Sequence, residues 1–312
     1  MREATVKVKE MKHEKSLKKG IKHRLGEFFI ENVIMFMGVT SVVIVALIFF
    51  FLFRSGVMLF KDVTLKEFLF GRSWFPISVN PQYGILPLVA GSLMVTLGAI
   101  FISVPIGIGC AIYIAEVAPP KIKTGLKVII EFLSAIPSVV LGFLGIVVLS
   151  NWVRITFSLS SGFTVLTGSI LVSLMALPTI ISISDDAISA LPKEYKEASL
   201  ALGATKWETI KHVLVPAASS GIIAAVMLGV GRAIGETMTV MMVTGNAAQI
   251  PDSFLVSGRT MTATIAAEMG DTVRNGTHYH ALFAVGIVLL FMTTTINLIA
   301  DAVLSKAKRE GM

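Results

Sequence analysis

The sequence predicts an all-α, polytopic membrane protein with six transmembrane helices. Three observations predict it. Apolar residues make up 54% of the 312 and charged residues only 15%, against about 25% charged in a soluble domain. Apolar runs recur at the length that spans a hydrocarbon core, about 20 residues. The basic residues gather between those runs and are unequally shared between the two sides. This balance excludes a disordered chain, a coiled coil and an ordinary soluble enzyme.

The predicted spans cover residues 33–53, 86–115, 128–149, 164–183, 217–243 and 281–304. The second is long enough to tilt or to kink at Pro105, and Pro137 and Pro178 interrupt the third and fourth. Prolines inside spans are tolerated where neighbours or cavity water satisfy the freed carbonyls. Ser134 and Ser138 flank Pro137 and offer hydroxyls to a pathway, with packing alone as the alternative reason for the kink. The organisation expected is a basic N-terminal segment (1–32), a membrane domain (33–304) and a short tail (305–312).

Residues 1–32 are too long and polar for a cleavable signal peptide and lack a small-residue cleavage site in the apolar stretch that follows. Their nine basic residues alternate with five acids, the pattern of a solvated or membrane-surface helix. Together with Lys121, Lys123, Lys127, Lys193, Lys196, Lys206, Lys211, Lys306, Lys308 and Arg309 they lie on one predicted side. Arg54, Lys61, Lys66, Arg72, Arg154, Arg259 and Arg274 lie on the other. The richer side is expected to be cytoplasmic, with both termini there, in a multi-pass protein of the cell membrane. The net charge of +7 therefore reports orientation, and no nucleic-acid partner is expected. Cys110 is the one cysteine, and His13, His23, His212, His278 and His280 lack metal-ligand spacing. Neither a metal nor a cofactor is expected.

The loop over 185–215 is the first informative stretch. Pro192 starts a short helix and Gly203 ends it; a second helix runs from about Lys206 to Leu214, before Pro216 opens the next span. Leu202, Ala204, Trp207 and Ile210 supply apolar surface near the elbow, while Glu194 and Glu197 stay wet. Such a face suits docking in a groove of another protein; a surface-lying amphipathic linker is the alternative. The second stretch is Gly229-Val-Gly-Arg-Ala-Ile-Gly-Glu-Thr237. A charge at the bilayer centre costs about 2.5–3.5 kcal/mol on insertion scales, and this span holds Arg232 and Glu236, four apart and expected on one helix face. Gly231 and Gly235 permit close helix packing beside them. The pair reads either as a structural ion pair or as part of an anion pathway, because the guanidinium fork matches a tetrahedral oxyanion. Glu236 then favours an anion that still carries a proton to donate, as phosphate does and sulfate near neutral pH does not.

Both stretches carry a resemblance. Glu197-Ala198-Ser199, three residues, Gly203, nine residues and Val213-Leu214-Val215-Pro216 resemble the EAA loop of ABC-importer permeases, with Ser199, Val213 and Val215 replacing Ala, Ile and Leu. Gly231-Arg-Ala-Ile-Gly-Glu-Thr-Met-Thr-Val-Met-Met-Val-Thr-Gly-Asn246 is similar to the membrane subunits of phosphate ABC importers, of the PstC type. Trp74-Phe-Pro with Tyr83-Gly-Ile-Leu-Pro87, Ala135-Ile-Pro-Ser-Val-Val-Leu-Gly142 and Thr260-Met-Thr-Ala-Thr-Ile-Ala267 carry the same resemblance. It implies a type I permease fold and half of a phosphate pathway built from Arg232, Glu236, Thr237, Ser134 and Ser138. It also implies coupling to an ATPase through Glu197, Ala198, Ser199, Leu202, Gly203, Ala204 and Trp207. The implied partners are a second, PstA-type permease, two PstB-type ATPase subunits, an external PstS-type phosphate-binding protein and membrane lipid. The chain has no G-x-x-x-x-G-K-[ST] phosphate loop, which fits a non-catalytic subunit whose energy comes from a partner. A permease for another oxyanion, sulfate or molybdate, is the first alternative. A secondary anion transporter is the second, against which the loop around Gly203 argues.

Overall fold

Helices dominate because a bilayer leaves the backbone no other partner for its N–H and C=O groups. A computed structural model describes residues 30–310; most of the basic N-terminal segment, residues 1–29, and residues 311–312 lie outside them. By contacts the chain divides into residues 1–54 and 55–312. Helix α1 (Ile30–Lys61) begins in the first unit and its residues 55–61 belong to the second; its span-length window is wholly unburied, and Phe36 and Val42 are exposed.

The second unit begins with a cap. Helix α2 (Leu65–Phe70), with Thr64 accepting from the Glu67 N–H, leads to a two-strand hairpin, β1 (Trp74–Phe75) against β2 (Gln82–Tyr83), antiparallel with Trp74 opposite Tyr83. Leu59, Phe68, Trp74, Ile85, Leu88, Met261 and Leu282 form one buried cluster there. The tight approach of Gly71 and Gly84 closes it: a Cβ on Gly84 would lie 2.3 Å from the Gly71 carbonyl carbon. Trp74 and Tyr83 are thus core residues and not an aromatic belt; Phe75, Ile77 and Val79 are the exposed ones.

Helix α3 (Leu86–Ile112) continues through a π-turn to Val117. Helix α4 (Pro120–Ala135) is amphipathic and buries no residue. Helix α5 covers Ser138–Thr156, α6 Val165–Ser189, α7 Lys193–Ala201 and α8 Lys206–Ala217. Helix α9 (Ser219–Gly235) follows α8 at a 70° bend. Then come α10 (Met238–Val243), α11 (Met261–Glu268) and α12 (Thr277–Glu310). Among the described residues five helices are long and apolar enough to cross a membrane, and the α8–α9 pair, bent by 70°, brings the number to six if it is counted as one span. The expected tail from residue 305 is, through Glu310, the end of α12.

Two predicted spans are corrected. The third is α5, displaced from 128–149 toward the C-terminus, because Ile136 and Pro137 are both extended and separate it from α4. Proline disfavours a helical preceding residue, and α4 carries too many charges to sit in lipid. The fifth does not run to 243: it stops at Gly235. Pro105 and Pro178, by contrast, lie inside continuous helices.

The centre is α3, α6 and α9, packed through small residues. A Cβ on Gly107 would meet Ile180 Cγ2 at 2.7 Å, and one on Gly229 would meet Ile180 Cγ1 at 2.6 Å. Without a hydrophobic force between helices in lipid, such close backbone approach is a main source of association. At Gly91 the neighbour is backbone: a Cβ would lie 2.2 Å from the Arg259 carbonyl oxygen. Gly91→Ala is expected to cost about 1–3 kcal/mol by overpacking, read as a lower thermal midpoint of the detergent-purified chain. Gly231→Ala, with open space around the new methyl, is expected to hold or gain up to about 1 kcal/mol from lower backbone entropy. Equal midpoints for both variants would contradict this packing. Asp185 on α6 is 2% exposed and binds Lys127 (2.6 Å) and Lys123 (3.7 Å), which fastens α4 to the bundle. The hydrogen bond to Asp185 pushes the Lys127 ammonium up, with burial opposing. Its stabilisation is complete below the ordinary lysine range and is lost as pH rises through the raised value.

Candidate functional site

The elbow forms as its punctuation requires. Pro192 precedes α7, and Glu194 lies in its first turn, where a negative charge complements the helix dipole. At the other end Gly203 has φ +87°, a conformation that L side chains resist. The Gly203 N–H donates to the Leu200 carbonyl (3.0 Å) and that of Ala204 to the Ser199 carbonyl (3.2 Å), which satisfies the end of α7. Thr205 then caps α8. Its hydroxyl accepts from the Glu208 N–H (3.3 Å), and the Glu208 carboxylate accepts from the Thr205 N–H (2.8 Å), a reciprocal box. The Thr205 N–H and then its hydroxyl, both donating to the carboxylate, hold the Glu208 carboxyl below the usual range, so the box works above that range and weakens as pH falls through the lowered value.

Ser199 hydrogen-bonds Thr209 across the elbow at 3.0 Å. The residue that departs from Glu-Ala-Ala is therefore the one that joins the two short helices. Leu202 is 91% exposed and Trp207 65% exposed; Glu194, Glu197, Ala198 and Gly203 are exposed, and Ala204 is half-buried. Ile210 does not belong to this surface. It is 6% exposed, because α8 passes into a π-turn at Ile210–Leu214 that turns Ile210 into the bundle.

Arg232 and Glu236 do not share a helix face. Helix α9 ends at Gly235, Glu236 is extended (φ −66°, ψ 130°), and Thr237 follows at φ −120°, ψ −62°. The physical reason is that Glu236 and Thr237 serve as end groups. The Glu236 carboxylate accepts from the Thr239 N–H at the start of α10 (3.3 Å), and the Thr237 hydroxyl donates to the Gly235 carbonyl (3.1 Å). Thr262 donates to the Glu236 carbonyl (2.8 Å). Arg232 is exposed and has no hydrogen bond or ion pair among the described residues; Gly231 and Gly235 beside it have open space.

A second break meets the first. The Thr239 hydroxyl donates to the Ser138 carbonyl (3.0 Å), so the start of α10 rests on the start of α5. Ser138, Glu236 and Thr237 are thereby brought to one place. Ser134 is exposed on the last turn of α4, one turn away along the chain.

Sequence reasoning does not reveal a polar hub that lies beside the hairpin. Glu268 accepts from Trp74 Nε1 (3.0 Å), pairs with Arg259 and hydrogen-bonds His278 Nε2 (2.9 Å). Arg259 Nε also donates to the Asn246 carbonyl (2.8 Å). A cleft of about 500 Å³ opens there, lined by Phe75, Ile77, Gln249, Arg259 and Glu268 among others. The one signal for it in the sequence is the coincidence of an acid with Trp74, Arg259 and His278 next to span boundaries.

Comparison with known proteins agrees with this architecture. Residues 103–309 match the family described as binding-protein-dependent transport system inner membrane component. The chain is 42% identical over 250 residues to the "Probable ABC transporter permease protein YqgH" of Bacillus subtilis, covering 80% of this chain and 81% of that one. It is 32% identical to the "Phosphate transport system permease protein PstC" of Haemophilus influenzae, covering 78% and 82%. Among solved structures, a bacterial ABC transporter that imports the acidic polysaccharide alginate aligns with TM-score 0.61 at 17% identity, over 91% of this chain and 99% of that one. An inward-facing MetNI methionine ABC transporter aligns with TM-score 0.56 at 19% identity, over 71% and 96%. These two likenesses are of fold. The chain belongs to the binding-protein-dependent inner membrane component family and is a multi-pass ABC-importer permease subunit of the type I fold.

Proposed function

We propose that this permease subunit carries inorganic phosphate, as half of a pathway completed by a second, PstA-type permease. Two PstB-type ATPase subunits sit below the permease pair, one of them docking on this elbow, and a PstS-type phosphate-binding protein delivers cargo at the hairpin end. The elbow face is cytoplasmic and both termini lie on its side. ATP hydrolysis belongs to the partner subunits, and this chain transmits it by alternating access.

The carrying observation is Arg232. A guanidinium on a span-forming helix, exposed and without a partner among the described residues, next to a helix break, is costly to hold in a membrane without a function. Its donor fork fits a tetrahedral oxyanion. Glu236, Thr237, Ser138 and Ser134 line the same stretch of the pathway in this reading. The 32% identity to a phosphate permease supports phosphate, whereas the name of the 42% identical relative specifies no cargo. That leaves sulfate or molybdate as the second reading.

Proteoliposomes holding the complex purified through a tag on this chain provide the test. Labelled phosphate is expected to enter with ATP, and excess sulfate or molybdate to leave its rate unchanged. Glu236→Gln is expected to let sulfate compete, because the carboxylate that disfavours a proton-free anion is gone. Import of sulfate by the unmodified complex, or unchanged selectivity in Glu236→Gln, would refute the assignment.

A further inference from the structure

The elbow has few attachments to the membrane bundle. It joins α6 through the short link Ala190–Pro192 and joins α9 through the bend at Ala218. Apolar packing adds to them: Val215 and Ala218 share a cluster with Ile108, Ile112 and Ala115 of α3 and its π-turn, and Ile210 and Leu214 are buried.

One further tie is ionic. Lys196, in the middle of α7, forms an ion pair with Glu116, and among the described residues it is the salt bridge that joins α7 to a membrane span. Glu116 is only 13% exposed and Lys196 40%. Glu116 owes its position to the π-turn Tyr113–Val117, where the Ala118 N–H donates to the Tyr113 carbonyl (2.8 Å) and the extra residue turns the carboxylate toward the elbow. Single π-turns inside helices often mark functional sites. Another π-turn, Ile210–Leu214, stands on the other side of a cavity of about 80 Å³ that Glu116, Val117, Lys196, Thr209, Ile210 and Leu214 line. From Glu116 the chain leads straight up α3, which is locked to α6 at Gly98, where a Cβ would meet Ser169 Oγ at 2.4 Å, and at Gly107. A displacement of Glu116 therefore moves α3 and α6 together, while the cavity leaves the elbow room to tilt.

We propose that the Glu116–Lys196 pair is the strut through which movement of the elbow reaches α3, so that both are positioning residues for transport. The proposal rests on the reading of the elbow as the ATPase dock. Charge removal in Glu116→Gln or Lys196→Met cuts the strut without touching Leu202, Gly203 or Trp207. The complex carrying each variant is purified through a tag on this chain, reconstituted with its binding protein, and assayed for ATP hydrolysed and inorganic phosphate imported. Expected is retention of the ATPase subunits and hydrolysis near the unmodified rate, with phosphate imported per ATP down about tenfold. The exchanged pair Glu116→Lys with Lys196→Glu is expected to restore most of that ratio, which a general loss of stability would not do. An unchanged ratio in the single variants, or an exchanged pair no better than either, overturns the strut alone. Absence of any ATPase from the unmodified complex overturns the docking reading and the strut with it.

Discussion

Gly203→Pro is expected to abolish ATPase docking while the membrane bundle stays folded. Three local effects add. Proline fixes φ near −65°, whereas Gly203 sits at +87°. It removes the N–H that donates to the Leu200 carbonyl at 3.0 Å. It also disfavours the helical conformation of the preceding residue, and Leu202 is at φ −79°, ψ 2°. Together these cost on the order of 3 kcal/mol or more at the elbow, about a hundredfold in the population of the docking geometry. The loss stays local because a Cβ at Gly203 would have nothing within 4 Å and Leu202 is almost fully exposed. Co-purification of the ATPase should fall with phosphate uptake, at an unchanged thermal midpoint for the isolated chain. Gly203→Asn, which tolerates the left-handed region, should retain both. A proline variant that keeps its ATPase and its uptake would remove the elbow from the coupling route.

Arg232→Ala is expected to lower phosphate uptake by roughly 10- to 150-fold, the equivalent of one hydrogen bond to a charged group. Assembly should survive, because the side chain has no bond to lose among the described residues and alanine is a good helix former. Arg232→Lys keeps the charge but not the planar fork, and should recover part of the rate. ATP hydrolysis stimulated by the binding protein separates transport from assembly. If the alanine variant instead loses the second permease, Arg232 is a packing residue between subunits and the pathway lies elsewhere.

The parts of this molecule that sequence reveals are those governed by short-range rules. Span existence follows from bilayer thickness, so α3, α6 and α12 fall close to their predicted places. The elbow is legible because Pro192, Gly203 and the Thr205–Glu208 box are punctuation carried by single residues. The boundaries of α5 and α9 are hidden because hydropathy does not register a turn of backbone inside an apolar run. The breaks at Ile136–Pro137 and Glu236–Thr237 are held by contacts 101 and 26 residues apart in sequence, Thr239 with Ser138 and Thr262 with Glu236, which a window of hydropathy does not see. Ile210 departs from its expected place for a related reason. Its spacing from Trp207 follows the helical period, and the π-turn after it shifts that period.

The interruption at Glu236 also has a thermodynamic consequence. An unwound segment within a span ordinarily exposes amides that a bilayer cannot hydrate. Here Thr237, Thr262 and the Glu236 carboxylate occupy the places that solvent would take. The break carries its own substitute for water. The Gly235 and Glu236 carbonyls and the Thr239 N–H thus keep partners within the chain whether or not water reaches the break.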